Sequence, residues 1–78
     1  MRGYAQDNPF LRERELLGDT IKKIRERKGM TQEELAYKAA SNVSYLAKIE
    51  NGYVNTSVRY LIKIARGLKV KVKDLFEF

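Results

Sequence analysis

The stretch Gly29-Met30-Thr31-Gln32-Glu33-Glu34 constrains this chain more tightly than any other. Thr31 and Glu34 stand at capping-box spacing, where a hydroxyl and a carboxylate each accept from the other residue's backbone N–H. Met30 before the cap and Leu35 at the fourth helical position complete a hydrophobic staple. These three start signals predict a helix opening at Thr31. Gly29 predicts that the preceding helix has just closed, because glycine takes the left-handed end conformation without Cβ strain. The chain is therefore read as a succession of short helices that must stabilise one another by packing.

The remaining elements follow from periodicity. Leu17, Ile21 and Ile24 form one buried stripe on a first helix, with Arg27 and Lys28 suiting the negative end of its dipole. Asn8 followed by Pro9 has the form of a cap and a first helical residue, so residues 1–15 are either a tail or an extension of this helix. Residues 16–78 are the domain. Leu35, Ala36 and Ala39 make the inner face of helix 2, and its alanines let a neighbour approach closely. Asn42 caps a third helix running to about Asn51, where Gly52 stops it. With Leu46 and Ile49 pointing inward, Ser44 and Asn51 point outward at 100° per residue. Ala47 and Lys48 point mostly outward, while Val43 and Tyr45 lie on the flanks. A cap at Asn55, Thr56 or Ser57 opens helix 4, with Val58, Leu61, Ile62, Ala65 and Leu68 as its apolar face and Ile64 widening it. The final VKVKDLFEF alternates like a strand, but beside four helices a short last helix over 73–77 is preferred. The expected class is all-α, a compact five-helix domain.

Composition narrows the function. Seventy-eight residues suffice for one domain with a modest core. There is no cysteine and no histidine, so disulfides, thiolate sites and imidazole chemistry are excluded. No catalytic residues, metal or cofactor are expected, and neither is a small-molecule ligand, for which so short a chain leaves no separate domain. The net charge of +6 draws the surface toward polyanions or simply keeps it soluble. No secretory h-region and no apolar run near the ~20 residues of a membrane span are present, which predicts a cytoplasmic protein without membrane contact.

Two helices joined by a three- or four-residue turn, the second with a polar outer face, have the form of a helix-turn-helix. The stretch from Leu17 to Phe76 resembles the phage-repressor and Cro class, the XRE family. The likeness rests on LGDTIKKIRERKGMTQEELA, SYLAKIENG and YLIKIARGLKV, with Gln32, Leu35, Ala36, Leu46, Ile49, Glu50, Asn51 and Gly52 at the family's spacings. It implies a lambda-repressor-like fold in which helix 3 enters the major groove of double-stranded DNA. Val43, Ser44 and Lys48 would then face base edges, bordered by Asn42 and Ala47. Gln32 and Asn51 match the family's phosphate-contacting positions, and Tyr53, Asn55 and Arg59 are further phosphate candidates. The chemistry agrees: Lys48 can donate to guanine O6 or N7, and Val43 can touch a thymine methyl. Plainer readings stand beside these. Val43 serves equally well as a core-flanking residue, whereas a merely solvated face for Ser44 and Lys48, or a plain first-turn polar role for Gln32, is the less favoured alternative. Arg25 and Glu50 resemble the family's paired arginine and glutamate, implying a partly buried bidentate link between helices 1 and 3.

Several residues depart from the family pattern. Ala40 stands at the usual turn glycine, where a left-handed alanine costs ~1 kcal/mol. Ser41 replaces an apolar residue and thins the core beneath the turn. Gly67 lies within helix 4, Lys69 takes the glycine position after it, and Thr56 replaces a proline. Leu75, Phe76 and Phe78 supply more apolar surface than a small monomer readily covers. Leu75 can close the core over helices 1 and 4, but Phe78 at the terminus is harder to bury. This predicts a homodimer through the last helix and its surroundings, with all three as candidate interface residues. The function expected is a dimeric, sequence-specific transcriptional regulator on a palindromic operator. Small stand-alone members of the class include phage repressors, restriction–modification controllers and antitoxins. The rivals are a protein-interaction module on the same scaffold, with helix 3 silent toward DNA, and non-specific RNA or DNA binding through charge alone.

Overall fold

The computed structural model describes residues 10–78. Four α-helices lead into a final 3-10 helix: α1 (Leu11–Arg27), α2 (Gln32–Lys38), α3 (Val43–Glu50), α4 (Val58–Leu68) and the 3-10 helix (Val72–Phe76). The helices α2 and α3 have seven and eight residues, below the length at which an isolated helix persists in water. Their stability is tertiary. Every element contributes a fully buried side chain: Ile21 from α1, Leu35 from α2, Leu46 from α3, Ile64 and Leu68 from α4, and Leu75 from the 3-10 helix.

The boundaries around Thr31 are as its sequence predicts. The Glu34 N–H donates to the Thr31 hydroxyl at 3.1 Å, and the Thr31 N–H donates to Glu34 Oε1 at 2.8 Å. Gly29 sits at φ 70 after α1. At the other end of α1 the expectation shifts: Asn8 and Pro9 lie outside the described residues, and the helix opens at Leu11 after a left-handed Phe10 (φ 64) that supplies no side-chain cap. Ser57 proves to be the cap of α4, its hydroxyl accepting from the Tyr60 N–H at 3.0 Å. Two positions on α4 differ from the stripe reading. Val58 is the first helical residue and lies 70% exposed, because the chain has not yet turned onto the core, whereas Ile64 is central to it. The expected last helix is present as five residues of 3-10 structure, one residue earlier than the span 73–77. Asp74 holds its start by accepting from the Lys71 N–H at 3.0 Å.

Two glycines set how closely the helices pack. A Cβ at Gly18 on α1 would overlap the Ile49 carbonyl oxygen and lie 2.6 Å from that of Glu50, so the backbones of α1 and α3 are in direct contact. Gly67 brings α4 against α2, where an added Cβ would stand 3.1 Å from Leu35 Cδ1. The family-pattern departure at Gly67 thus falls where α4 crosses α2, a closer fit than most side-chain contacts but a milder one than at Gly18.

Candidate nucleic-acid interface

The geometry of α3 is set by what precedes it. After Lys38 the chain reverses through residues 39–42, and Ala40 adopts the left-handed conformation (φ 52) without the help of a glycine. The turn is held by its hydrogen bonds. Ser41 N–H donates to the Ala36 carbonyl at 2.8 Å, and Lys63 of α4 donates its Nζ to the Ala40 carbonyl at 3.0 Å. The Ser41 hydroxyl meets the Tyr60 hydroxyl at 3.0 Å, so the polar residue beneath the turn has a built partner. Tyr60 in turn packs edge-on against Tyr45 of α3, with ring centroids 4.8 Å apart. Burial raises the Tyr60 phenol pKa above its ordinary 10.0, while the Ser41 bond opposes that rise. Asn42 then caps α3, its Oδ1 accepting from the Tyr45 N–H at 2.8 Å.

So supported, α3 has one dry side and one wet side. Leu46 and Ile49 are buried and Ser44 and Lys48 are exposed. Val43 is half-buried and packs against the core, Ala47 is half-buried, and Asn42 and Asn51 flank the helix in solvent. Tyr53 and Arg59 are exposed beyond α3. Asn55 lines a different feature, a groove of about 300 Å³ shared with Phe10, Val54, Phe76 and Phe78 among others. Leu75 is wholly buried within the monomer, while Phe76 and Phe78 stay about half exposed. The expected trio at the chain's end is therefore divided, since the 3-10 helix turns Leu75 onto α1 and α4 and leaves the two phenylalanines outside.

Arg25 and Glu50 form the bidentate pair that the sequence resemblance implies. Arg25 Nε donates to Glu50 Oε2 at 2.7 Å and its Nη2 to Oε1 at 3.1 Å, with both side chains at least nine-tenths buried. The hydrogen bonds to Glu50 raise the Arg25 pKa further above its ordinary range, so the guanidinium is charged at every accessible pH. Arg25 Nη1 also donates to the Met30 carbonyl at 2.7 Å, tying the loop before α2 to the pair. Sequence reasoning missed one member. Gln32, at the start of α2, donates Nε2 to Glu50 Oε1 at 2.9 Å. The signal that could have found it is topological, since only the packed fold brings residues 32 and 50 together. Tyr37, 87% exposed on α2, was also not singled out.

The arrangement is similar to known proteins along most of its length. A helix-turn-helix family profile matches residues 21–75. The HTH-type transcriptional regulator SlrR of Bacillus subtilis (strain 168) is 38% identical over 63 residues, 80% of this chain, and the match spans 41% of SlrR. Control protein C.BamHI of Bacillus amyloliquefaciens is 36% identical over 64 residues, 81% of this chain and 79% of that protein. Among solved structures, the restriction-modification controller protein C.AhdI from Aeromonas hydrophila superposes with a TM-score of 0.82 at 29% identity, covering 83% of this chain and 98% of that one. The wild-type controller protein C.Esp1396I gives 0.77 at 41% identity, covering 87% and 86%.

Proposed function

The chain belongs to the XRE family of helix-turn-helix proteins, and from that premise we propose that it is a sequence-specific DNA-binding regulator of transcription. In this reading α2 and α3 are the helix-turn-helix and α3 is the recognition helix. The observation that carries it is the two-sided α3: Leu46 and Ile49 anchor it to the core while Ser44 and Lys48 project into solvent. Lys48 donates to guanine in the major groove, and Ser44 with the small Ala47 lets the helix sit deeply. Val43 divides its surface between the core and a thymine methyl. Gln32, Asn42, Asn51, Tyr53 and Arg59 meet the sugar–phosphate backbone and set the register. Asn55, in the aromatic groove, is at the rim of the contact.

The same reading makes the active form a C2 homodimer. Phe76, Phe78 and Phe10 are large exposed aromatics, and the two phenylalanines of the chain's end border the apolar groove with Phe10. In such a dimer two copies of α3 about 34 Å apart, one DNA turn, would read the half-sites of a palindromic operator. Similarity to the controller proteins C.BamHI and C.AhdI supports a restriction–modification setting.

The test is selection of binding sites from a randomised duplex library, followed by affinity on the selected and scrambled duplexes across salt concentrations. A preference of ~1000-fold or more with a steep salt dependence is expected. Equal affinity for all duplexes leaves only charge attraction, and no binding at low salt points to the protein-interaction module.

A further inference from the structure

The Arg25–Glu50 pair is the kind of buried contact usually assigned to stability alone. Its third member changes that assignment. Glu50 Oε1 receives two donors, Arg25 Nη2 and Gln32 Nε2, at 3.1 and 2.9 Å. A carboxylate in this state is an acceptor only, so it selects the nitrogen end of the Gln32 amide and turns the oxygen end away. One amide N–H is then committed to Glu50. The other is held in the plane of the same rigid group, at a fixed angle to the first. Gln32 itself is half-buried and its bond to Glu50 only part-buried, so the residue stands at the edge of the protein surface.

We infer that Glu50 is a positioning residue for DNA binding: it orients the Gln32 amide so that its free N–H meets a phosphate oxygen of the bound duplex. This rests on the DNA-binding reading above. The physical reason for the device is entropy. A glutamine side chain loses rotamer freedom when it is immobilised, and a contact made by a side chain already held avoids that loss on binding. Arg25 holds Glu50 in place through two bonds, and its third donor, to the Met30 carbonyl, fixes the segment from which Gln32 departs. The ion pair therefore links α1, the entry to α2 and the end of α3 into one unit behind a single phosphate contact.

A double-mutant cycle on the full chain tests this, using a random-sequence duplex as the probe because phosphate contacts do not depend on base identity. Gln32→Ala lowers affinity by about tenfold, with an unchanged salt slope, since a neutral donor displaces no counterion. Glu50→Leu, which leaves no acceptor for the Gln32 amide, produces a similar loss even though it removes a negative charge near the DNA, a change that by Coulomb attraction alone would tighten binding. In the Gln32→Ala background, Glu50→Leu costs little more, because the contact it positions is already gone. Multiplication of the two losses to ~100-fold would mark Glu50 as merely structural and overturn the inference. Unchanged affinity of Gln32→Ala would overturn it as well. A wild-type protein that binds no duplex defeats the DNA-binding reading itself, a distinguishable result. If Glu50→Leu does not fold, the Gln32 side-chain amide of the wild type decides by NMR. One Nε2 proton protected from solvent exchange and the other moving on addition of the duplex are expected; two protons that exchange equally fast, neither moving with the duplex, refute the proposal.

Discussion

Replacing glycine by alanine inside an α-helix ordinarily stabilises it by ~1 kcal/mol, because alanine has less backbone freedom to lose. Gly18→Ala should do the reverse. The new Cβ would overlap the Ile49 carbonyl oxygen and sit 2.6 and 2.8 Å from the Glu50 oxygen and carbonyl carbon. Carbon–oxygen contacts settle at roughly 3.3 Å or beyond, so α3 must retreat from α1 by roughly 1 Å. The colliding atoms are backbone and cannot rotate aside. Overpacking of this kind costs ~1–3 kcal/mol, and the backbone collision places it at the upper end. Less the helix gain, the net loss is ~1–2 kcal/mol. For a domain of this size that lowers Tm by ~5–15 °C. Urea and thermal unfolding followed by far-UV circular dichroism measure it, with Gly67→Ala as the comparison. There the nearest atom is the flexible Leu35 Cδ1 at 3.1 Å, so helix gain and crowding nearly cancel. Equal or greater stability in Gly18→Ala would show that α1 and α3 are not in backbone contact, and the reasoning would fail.

Other consequences concern the turn, the ion pair and the candidate interface. Ala40→Gly removes a left-handed alanine (φ 52) and should stabilise the domain by up to ~1 kcal/mol in urea melts. Arg25→Ala leaves Glu50 buried without its charge partner and should cost ~3–5 kcal/mol, whereas the double change Arg25→Met, Glu50→Leu should cost less than that single one; a double variant weaker than Arg25→Ala refutes the account. Because burial raises the Tyr60 pKa above its unfolded 10.0, folding favours its neutral phenol. That contribution is complete below pH 10 and is lost as pH rises from there through the folded value, so Tyr60→Phe should flatten the alkaline decline in stability. Lys48→Ala should reduce discrimination between selected and scrambled duplexes by ~1–3 kcal/mol. An equal loss on both would remove its base-reading role.

The helix boundaries belong to the sequence, because capping is a local competition for hydrogen bonds settled within four residues. Thr31 with Glu34, Asn42 and Ser57 could each be placed or bracketed from their immediate neighbours. The inward direction of α3 was also legible, since Leu46 and Ile49 define a dry side whatever they pack against. The Arg25–Glu50 pair became readable only through family resemblance, for nothing local joins residues 25 apart. What remained was decided where helices meet. The centrality of Ile64, the hydroxyl pair of Ser41 with Tyr60 and the capture of Gln32 by Glu50 all depend on long-range contacts. A side chain's own preferences limit where it can point, but only the neighbour that arrives from elsewhere in the chain determines what it touches.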